Sequence, residues 1–282
     1  MSITTEKVAE LEKKANDIRI DTVKMLNKSG NRGTGGHTAG PLDLADINTV
    51  LYFHSMNHKP EDPNWEGRDR FVLSAGHTCP GLYATMAHAG YFDISELDTL
   101  RQLGSRLQGH PHKEYLPGIE TSSGPLGSGL SQAVGMALAD RIDNGKESGK
   151  FFYCLMGDGE TNEGQVWEAA MLAAKEQLGN LIAIVDRNNI QIDGFTEDVM
   201  PLEDYSAKWE SFGFHVIEID GHNIEGIADA IDQGKAVFEK PTMIIARTIS
   251  SKGVPSWERD HHWHGKPPKD DELEVALNEL SK

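Results

Sequence analysis

The chain is short of positive charge, of cysteine and of long apolar runs, and each shortage removes a class of function. Lysine and arginine number 27 against 44 aspartates and glutamates, a formal net charge of −17. A surface this acidic repels nucleic-acid phosphates, so no nucleic-acid partner is expected. Any anionic ligand has to be held by a local device such as a metal ion, a helix N-terminus or a group of histidines. The two cysteines, Cys79 and Cys154, lie far apart. They are too few for a disulfide framework and lack paired metal-ligand spacing, so both are expected to be reduced. No stretch reaches the roughly 18 consecutive apolar residues of a membrane span. The first residues, Met1 to Lys7, are charged and carry no apolar signal core. No membrane association is expected, and the cytoplasm is the default compartment.

What is present is ordinary globular composition: 282 residues, 38% hydrophobic and 25% charged. That length fits one large α/β domain or two small ones. Apolar residues at helical spacing, Val8 through Leu11, Ile18 and Met25, predict an amphipathic helix. A glycine-rich loop follows over 30–40, and Pro41 opens a helix from 42 to about 53. Residues 71–74 are a short buried strand leading to a loop at Gly76-His77. The glycine-rich loop 124–129 feeds a helix from 130 to about 142.

The middle of the chain is clearest. Residues 151–156 form a continuous apolar strand ending at Gly157-Asp158-Gly159. A helix from about 163 to 177, stopped by Gly179, precedes the apolar strand 181–185, which ends at Asp186-Arg187-Asn188-Asn189. Strand, helix, strand with both strands buried reads as a right-handed βαβ unit of a parallel sheet. Residues 215–219 and 243–246 supply further strands with a helix, 224–238, between them, and a short helix runs from 271 to about 280. The expected fold class is α/β, a doubly wound, mostly parallel sheet flanked by helices, with ligands beyond the carboxyl ends of its strands.

Asp158 and Asn188 each follow the end of an expected strand, 30 positions apart with one helix between. On neighbouring strands both would project into one crevice. A carboxylate, an amide oxygen and a nearby backbone carbonyl make a hard, all-oxygen half-shell, which magnesium completes with phosphate oxygens and water. One protein charge leaves the ion net positive and able to attract a diphosphate. Gly157 and Gly159 let the backbone approach closely, and the turn before the following helix offers free N–H groups to phosphate. Either piece alone is an ordinary turn; the combination carries the signal.

Histidine is abundant, 12 in all, and four sit beside glycines in loops: His37, His77, His110 and His264. Imidazoles can donate to phosphate, bond a sugar hydroxyl and move protons near neutral pH. Zinc is the rival, but the four are scattered and lack metal-ligand spacing. The run His261-His262-Trp263-His264 ranks lower as a metal site.

These segments resemble the transketolase family over nearly the whole chain. Gly157-Asp158-Gly159 through Asn188 resembles the family's thiamine diphosphate motif. Asp69 through His77, Leu103 through Pro111, Gly124 through Gly129, and Trp263-His264-Gly265-Lys266 resemble its histidine and glycine segments in order. The resemblance implies thiamine diphosphate and Mg2+ (with Ca2+ or Mn2+ able to substitute), the metal held by Asp158, Asn188 and the main-chain carbonyl of Ile190. It implies cofactor contacts at His77, Gly124, Pro125, Leu126, Gly157, Asp158, Gly159, Glu163, Asn188 and His264, with His37, His77, His110 and His264 as the catalytic set. Glu163 and Glu168 have family counterparts at a subunit boundary; the alternative for Glu163 is a helix cap. Many relatives carry proline directly after the first histidine, where this chain has Thr38.

Single-chain transketolases are more than twice this long and continue into a pyrimidine-binding domain with the cofactor-activating glutamate. The resemblance therefore implies that residues 1–282 are one cofactor-binding domain, the N-terminal subunit of a split transketolase. Such an enzyme moves a two-carbon ketol unit from a ketose phosphate to an aldose phosphate, in carbohydrate metabolism of the pentose phosphate kind. The partner is a C-terminal subunit carrying the glutamate, and an α2β2 heterotetramer is the natural assembly. The alternatives are a deoxyxylulose-phosphate synthase-like chain, the α subunit of a 2-oxoacid dehydrogenase, a split enzyme for a sulfo- or branched sugar, and a non-catalytic scaffold.

Overall fold

The structure, a computed structural model, describes residues 3–145 and 148–282. Its apolar runs form the strands β1 (Arg70–Leu73), β2 (Phe152–Gly157) and β3 (Leu181–Arg187), the short hairpin β4 (Ile190–Gln191) and β5 (Gly194–Phe195), then β6 (His215–Asp220) and β7 (Thr242–Arg247). Five of these make one sheet in the order β1-β2-β3-β7-β6, every neighbouring pair parallel. Successive side chains of a strand point to opposite faces. Thus Tyr153 and Leu155 enter one core with Ile182, Ile184 and Ile244. Phe152, Cys154 and Met156 enter the other with Ala183, Val185 and Ile245. Central strands buried on both faces explain the unbroken apolar runs.

Helices cover both faces. They are α1 (Thr5–Asn31), α2 (Ala39–Asp43), α3 (Ala45–Val50), α4 (Cys79–His88), α5 (Ser128–Asn144), α6 (Gly164–Lys175), α7 (Thr196–Val199), α8 (Tyr205–Ser211), α9 (Ile224–Lys235) and α10 (Asp270–Leu280). The first core gathers α1, α3, α4 and α9, and the second gathers α5, α6 and α8. A third cluster joins Trp257, Trp263 and Leu280 to Val23 and Leu42, so the C-terminal segment is sealed against α1. Cys79 and Cys154 are both buried and free, as expected. Among the described residues no helix is long and apolar enough to cross a membrane.

Three departures from the sequence reading have physical causes. The single helix expected over 42–53 is broken at Leu44 into α2 and α3 and ends in a π turn, Leu51–Ser55. Almost every residue in it is buried, so no polar face marks the breaks. Helix α4 carried no amphipathic signal because Cys79 through Ala87 are all buried; Pro80 in its first turn is its remaining start signal. The helix beginning at Ile224 ends at Lys235 rather than near 238.

The start of α5 is pressed onto the end of β1. A Cβ on Gly129 would fall 2.3 Å from the Ser74 Cβ and Oγ, and the Gly129 N–H donates to Ser74 Oγ at 3.1 Å. Gly129→Ala should therefore destabilise the fold by about 1–3 kcal/mol, the cost of overpacking, despite alanine's better helix propensity. A urea midpoint equal to or above wild type would contradict this close approach.

Candidate functional site

β2 and β3 lie side by side with Gly157 facing Asp186, and the Asp158 N–H donates to the Asp186 carbonyl at 3.1 Å. Adjacency of these strands, on which the expected metal site depends, is met. Asp158, Asn188 and Ile190 share the wall of one cavity of about 310 Å3 with Gly157 and Gly159. It opens at the carboxyl end of the sheet, where a doubly wound fold places its ligands.

The Asp158 carboxylate is buried. Its Oδ2 accepts from Arg187 Nη1 at 2.9 Å and from the Asn189 N–H at 2.8 Å; its Oδ1 accepts from the Gly159 N–H at 2.7 Å. Asn189 reaches it from a left-handed turn, φ 64°, a conformation that asparagine tolerates. Burial pushes the Asp158 carboxyl up, and Arg187 opposes that shift. Asn188 Oδ1 accepts from the Ile190 N–H at 2.9 Å, while Nδ2 donates to Asp43 Oδ2 at 2.9 Å and Asp186 Oδ2 at 3.2 Å. Each oxygen that would face an ion thus keeps lone-pair capacity. With the Ile190 carbonyl, they form a donor set that fits a hard divalent cation. Space is kept by Gly159, where a Cβ would sit 3.3 Å from the Gln191 Cβ.

The four glycine-flanked histidines converge on the same cavity. Their ring centroids are separated by 5.0 Å (His37 to His77), 5.3 Å (His77 to His264) and 5.7 Å (His37 to His264). His110 stands at the rim beside Gly124, where a Cβ would lie 3.9 Å from its ring. Burial, then the charge of neighbouring histidines, lowers His37 to about 4 and His77 to about 3. Burial also lowers His110 and His264. All four are therefore neutral near pH 7, each with one donor and one acceptor nitrogen. His37 Nδ1 is buried without a protein partner.

Of the other residues that the resemblance implies, Gly124 and Leu126 line the cavity, whereas Pro125 and Glu163 are not in its wall. Glu163 occupies the N-cap position of α6, and its side chain makes no capping hydrogen bond. It abuts the 124–129 loop instead: a Cβ on Gly127 would meet the Glu163 Cβ at 2.7 Å. Both Glu163 and Glu168 are exposed. In the lower-ranked run, His264 turns into the cavity and Trp263 is buried. His262 Nδ1 pairs with Asp260 Oδ1 at 2.7 Å outside the cavity, and ligand atoms of Asp260, His261 and His262 lie within 4.8 Å of one another.

Several site residues escaped the sequence reading. Glu160 is buried and accepts from the Gly127 N–H at 2.7 Å, the Gly157 N–H at 3.0 Å and the Ser74 hydroxyl. It staples the 124–129 loop to the ends of β1 and β2. Arg187 is 1% exposed and bonds Thr196, Glu197 and Glu203 besides Asp158. Gln191 and Ile192 enter the wall from the β4–β5 hairpin, for which Asp193-Gly194 was an available turn signal. A second cavity, of about 550 Å3, involves Phe151, Asn180 and Phe238 at the amino end of the strands. Its described wall holds no carboxylate or histidine.

The lowered histidines make stability sensitive to acid. Their folded-state values lie below the ordinary 6.5, so as pH falls the unfolded chain takes up protons first. Their contribution is complete above about pH 6.5 and is lost as pH falls toward 4 and then 3. Between pH 7 and 5, His77→Gln should reduce the loss of stability by on the order of 1 kcal/mol, allowing for solvent at the ring's open edge. Urea midpoints at the two pH values check this; an identical drop in both proteins would contradict it.

A family model described as transketolase, thiamine diphosphate binding domain, matches residues 11–281. Over 278 residues the chain is 42% identical to a 6-deoxy-6-sulfo-D-fructose transketolase subunit of Clostridium sp. (strain MSTE9), covering 99% of this chain and 98% of that protein. Over 271 residues it is 41% identical to an apulose-4-phosphate transketolase subunit of Actinobacillus succinogenes, covering 96% of each. Its fold matches the solved transketolase from Leishmania mexicana with a TM-score of 0.89 at 35% identity, over 96% of this chain and 41% of that one. The chain thus spans about two fifths of that solved transketolase, but nearly the full length of the two subunit relatives. It belongs to the transketolase family and corresponds to that family's thiamine diphosphate-binding domain.

Proposed function

We propose that this chain binds thiamine diphosphate through a divalent ion, Mg2+ in the first instance, and serves as the N-terminal subunit of a two-chain transketolase. The side chains of Asp158 and Asn188 and the main-chain carbonyl of Ile190 would hold the ion. The observation that carries the reading is the meeting of these three oxygen donors with four neutral histidines in one cavity. Its reaction is transfer of a two-carbon ketol unit from a ketose phosphate to an aldose phosphate. Bound thiamine diphosphate supplies the nucleophilic carbon that accepts and passes on that unit.

The chain's own residues orient, neutralise and move protons. The Gly124–Gly129 loop, fixed by Glu160, would wall the cofactor's ring, and the glycines beside Asp158 would let the diphosphate approach the backbone. His37, His77, His110 and His264 offer neutral nitrogens to sugar hydroxyls and phosphate, with His37 Nδ1 free to take a ligand hydrogen bond. Neutral imidazoles can accept a proton and return it without a standing charge in the cavity.

Residues 1–282 are read as one cofactor-binding domain, with the pyrimidine and C-terminal domains on a partner chain that brings the activating glutamate. Two relatives named as transketolase subunits, both matched almost end to end, support this. The assembly proposed is a cytoplasmic α2β2 heterotetramer, two copies of each chain about a two-fold axis. Those relatives are named for 6-deoxy-6-sulfo-D-fructose and apulose-4-phosphate, so the donor is assigned as a class: a ketose phosphate or a sulfonated or otherwise modified analogue.

Two measurements test this. Calorimetric titration of thiamine diphosphate with Mg2+ should show affinity falling at least about tenfold in Asp158→Ala, the loss of a charged metal ligand; unchanged affinity would remove the assigned site. Ketol transfer should require a second chain, and robust turnover by the purified chain alone would overturn the split arrangement.

A further inference from the structure

Thr38 follows His37 directly and takes no part in the cofactor site described above, yet it is fully buried. Its hydroxyl donates to the Lys266 carbonyl at 2.6 Å, a contact across 228 positions of sequence. Lys266 lies two residues beyond His264. A single hydrogen bond therefore ties the loop carrying His37 to the loop carrying His264.

Both ends of the tie are held. On one side, a Cβ on Gly36 would strike Leu26 at 2.4 Å, so the His37 loop is pressed against α1. On the other, the Lys266 ammonium lies 3.9 Å over the Trp263 ring and pairs with Glu272, and Trp263 stacks on Trp257 with centroids 3.9 Å apart. The His37 ring rests against the backbone between His264 and Lys266: a Cβ on Gly265 would lie 3.8 Å from its Cδ2. The Thr38 backbone has φ −108° and ψ −46°. A proline ring holds φ near about −65°, so proline could enter only if the loop turned, and it would bring no hydroxyl.

We propose that Thr38 is a positioning residue for the histidine cluster, its hydroxyl setting the separation of His37 and His264 and through them the fit of the substrate's hydroxyl-bearing end. The substrate half of this inference rests on the ketose reading of the cavity; the geometric half does not. The effect acts through His37 and His264, and Thr38 itself touches no ligand.

The test compares Thr38→Val, which keeps the shape and loses the donor, with Thr38→Ser, which keeps the donor. In the 15N-histidine-labelled chain, Thr38→Val should shift the imidazole resonances of His37 and His264, and Thr38→Ser should leave them near wild type. In the complex with its partner chain, Thr38→Val should raise KM for the ketose donor about fivefold, the weight of one hydrogen bond. Thiamine diphosphate affinity should fall less than donor affinity, because the proposed ion donors Asp158, Asn188 and Ile190 lie outside the tie, and Thr38→Ser should restore KM. Unmoved resonances in a folded Thr38→Val protein would overturn the proposal. So would equal losses of stability, cofactor affinity and kcat that Thr38→Ser fails to rescue, since that marks a merely structural role. A wild-type chain that binds no thiamine diphosphate would instead defeat the functional reading, and the resonance comparison would still judge the tie.

Discussion

The parallel pairing of β2 with β3 is the constraint on which the cavity depends. It brings Asp158 and Asn188, separated by a whole helix in sequence, to the same edge of the sheet. A slip of one residue would turn every side chain of a strand to the other face, exchanging the two cores and carrying Asp158 away from Asn188. Both strands are apolar on both faces, so the guard against that slip is side-chain fit, with Tyr153, Leu155 and Ile184 packed in one core and Cys154, Met156 and Ala183 in the other. The pairing also forces a carboxylate into a buried position, which is costly unless it is bonded. Arg187 Nη1 and two backbone N–H groups meet that demand; the same Nη1 also donates to Thr196, and Nη2 donates to Glu197 and Glu203. One guanidinium therefore links the floor of the cavity to the segment beyond the hairpin.

A strongly acidic chain has to hold any anion by local devices, and the histidine cluster is not a cationic one. Packing three imidazoles within 5.7 Å of one another and burying them lowers their proton affinity, so the cavity carries no cationic histidines near pH 7. On the proposed reading, attraction for a diphosphate is left to a divalent ion and the backbone N–H groups. The histidines remain as hydrogen-bonding groups that can take up or release a proton. Burial first, then a neighbouring carboxylate, raises the proton affinity of Asp43 and Asp186 on the same floor.

Legibility in the sequence followed burial geometry. β2 and β3 are plain because both faces are buried and the apolar run is unbroken, and Asp158 and Asn188 are plain because they interrupt that run at its end. The four histidines stand out by their glycine neighbours. Helix α4 is hidden by the same burial that reveals the strands, since a helix enclosed on all sides loses its polar stripe. Glu160 and Arg187 are hidden for another reason. A buried charged residue is identical in sequence to a solvated one, and only the arrangement of its partners, Gly127, Ser74 and Gly157 for one and Asp158, Thr196 and Glu197 for the other, distinguishes them. Thr38 is intermediate: its place after His37 drew attention, but its partner 228 positions away could come only from the fold.

The most direct measurement is an anomalous-difference map from crystals of the chain grown with Mn2+ and thiamine diphosphate. The expected result is one peak in the cavity within coordination distance of an Asp158 carboxylate oxygen, the Asn188 amide oxygen and the Ile190 carbonyl, with diphosphate oxygens completing the shell. A manganese peak elsewhere on a fully occupied complex, with water or a side chain filling the space between Asp158 and Asn188, would contradict the account.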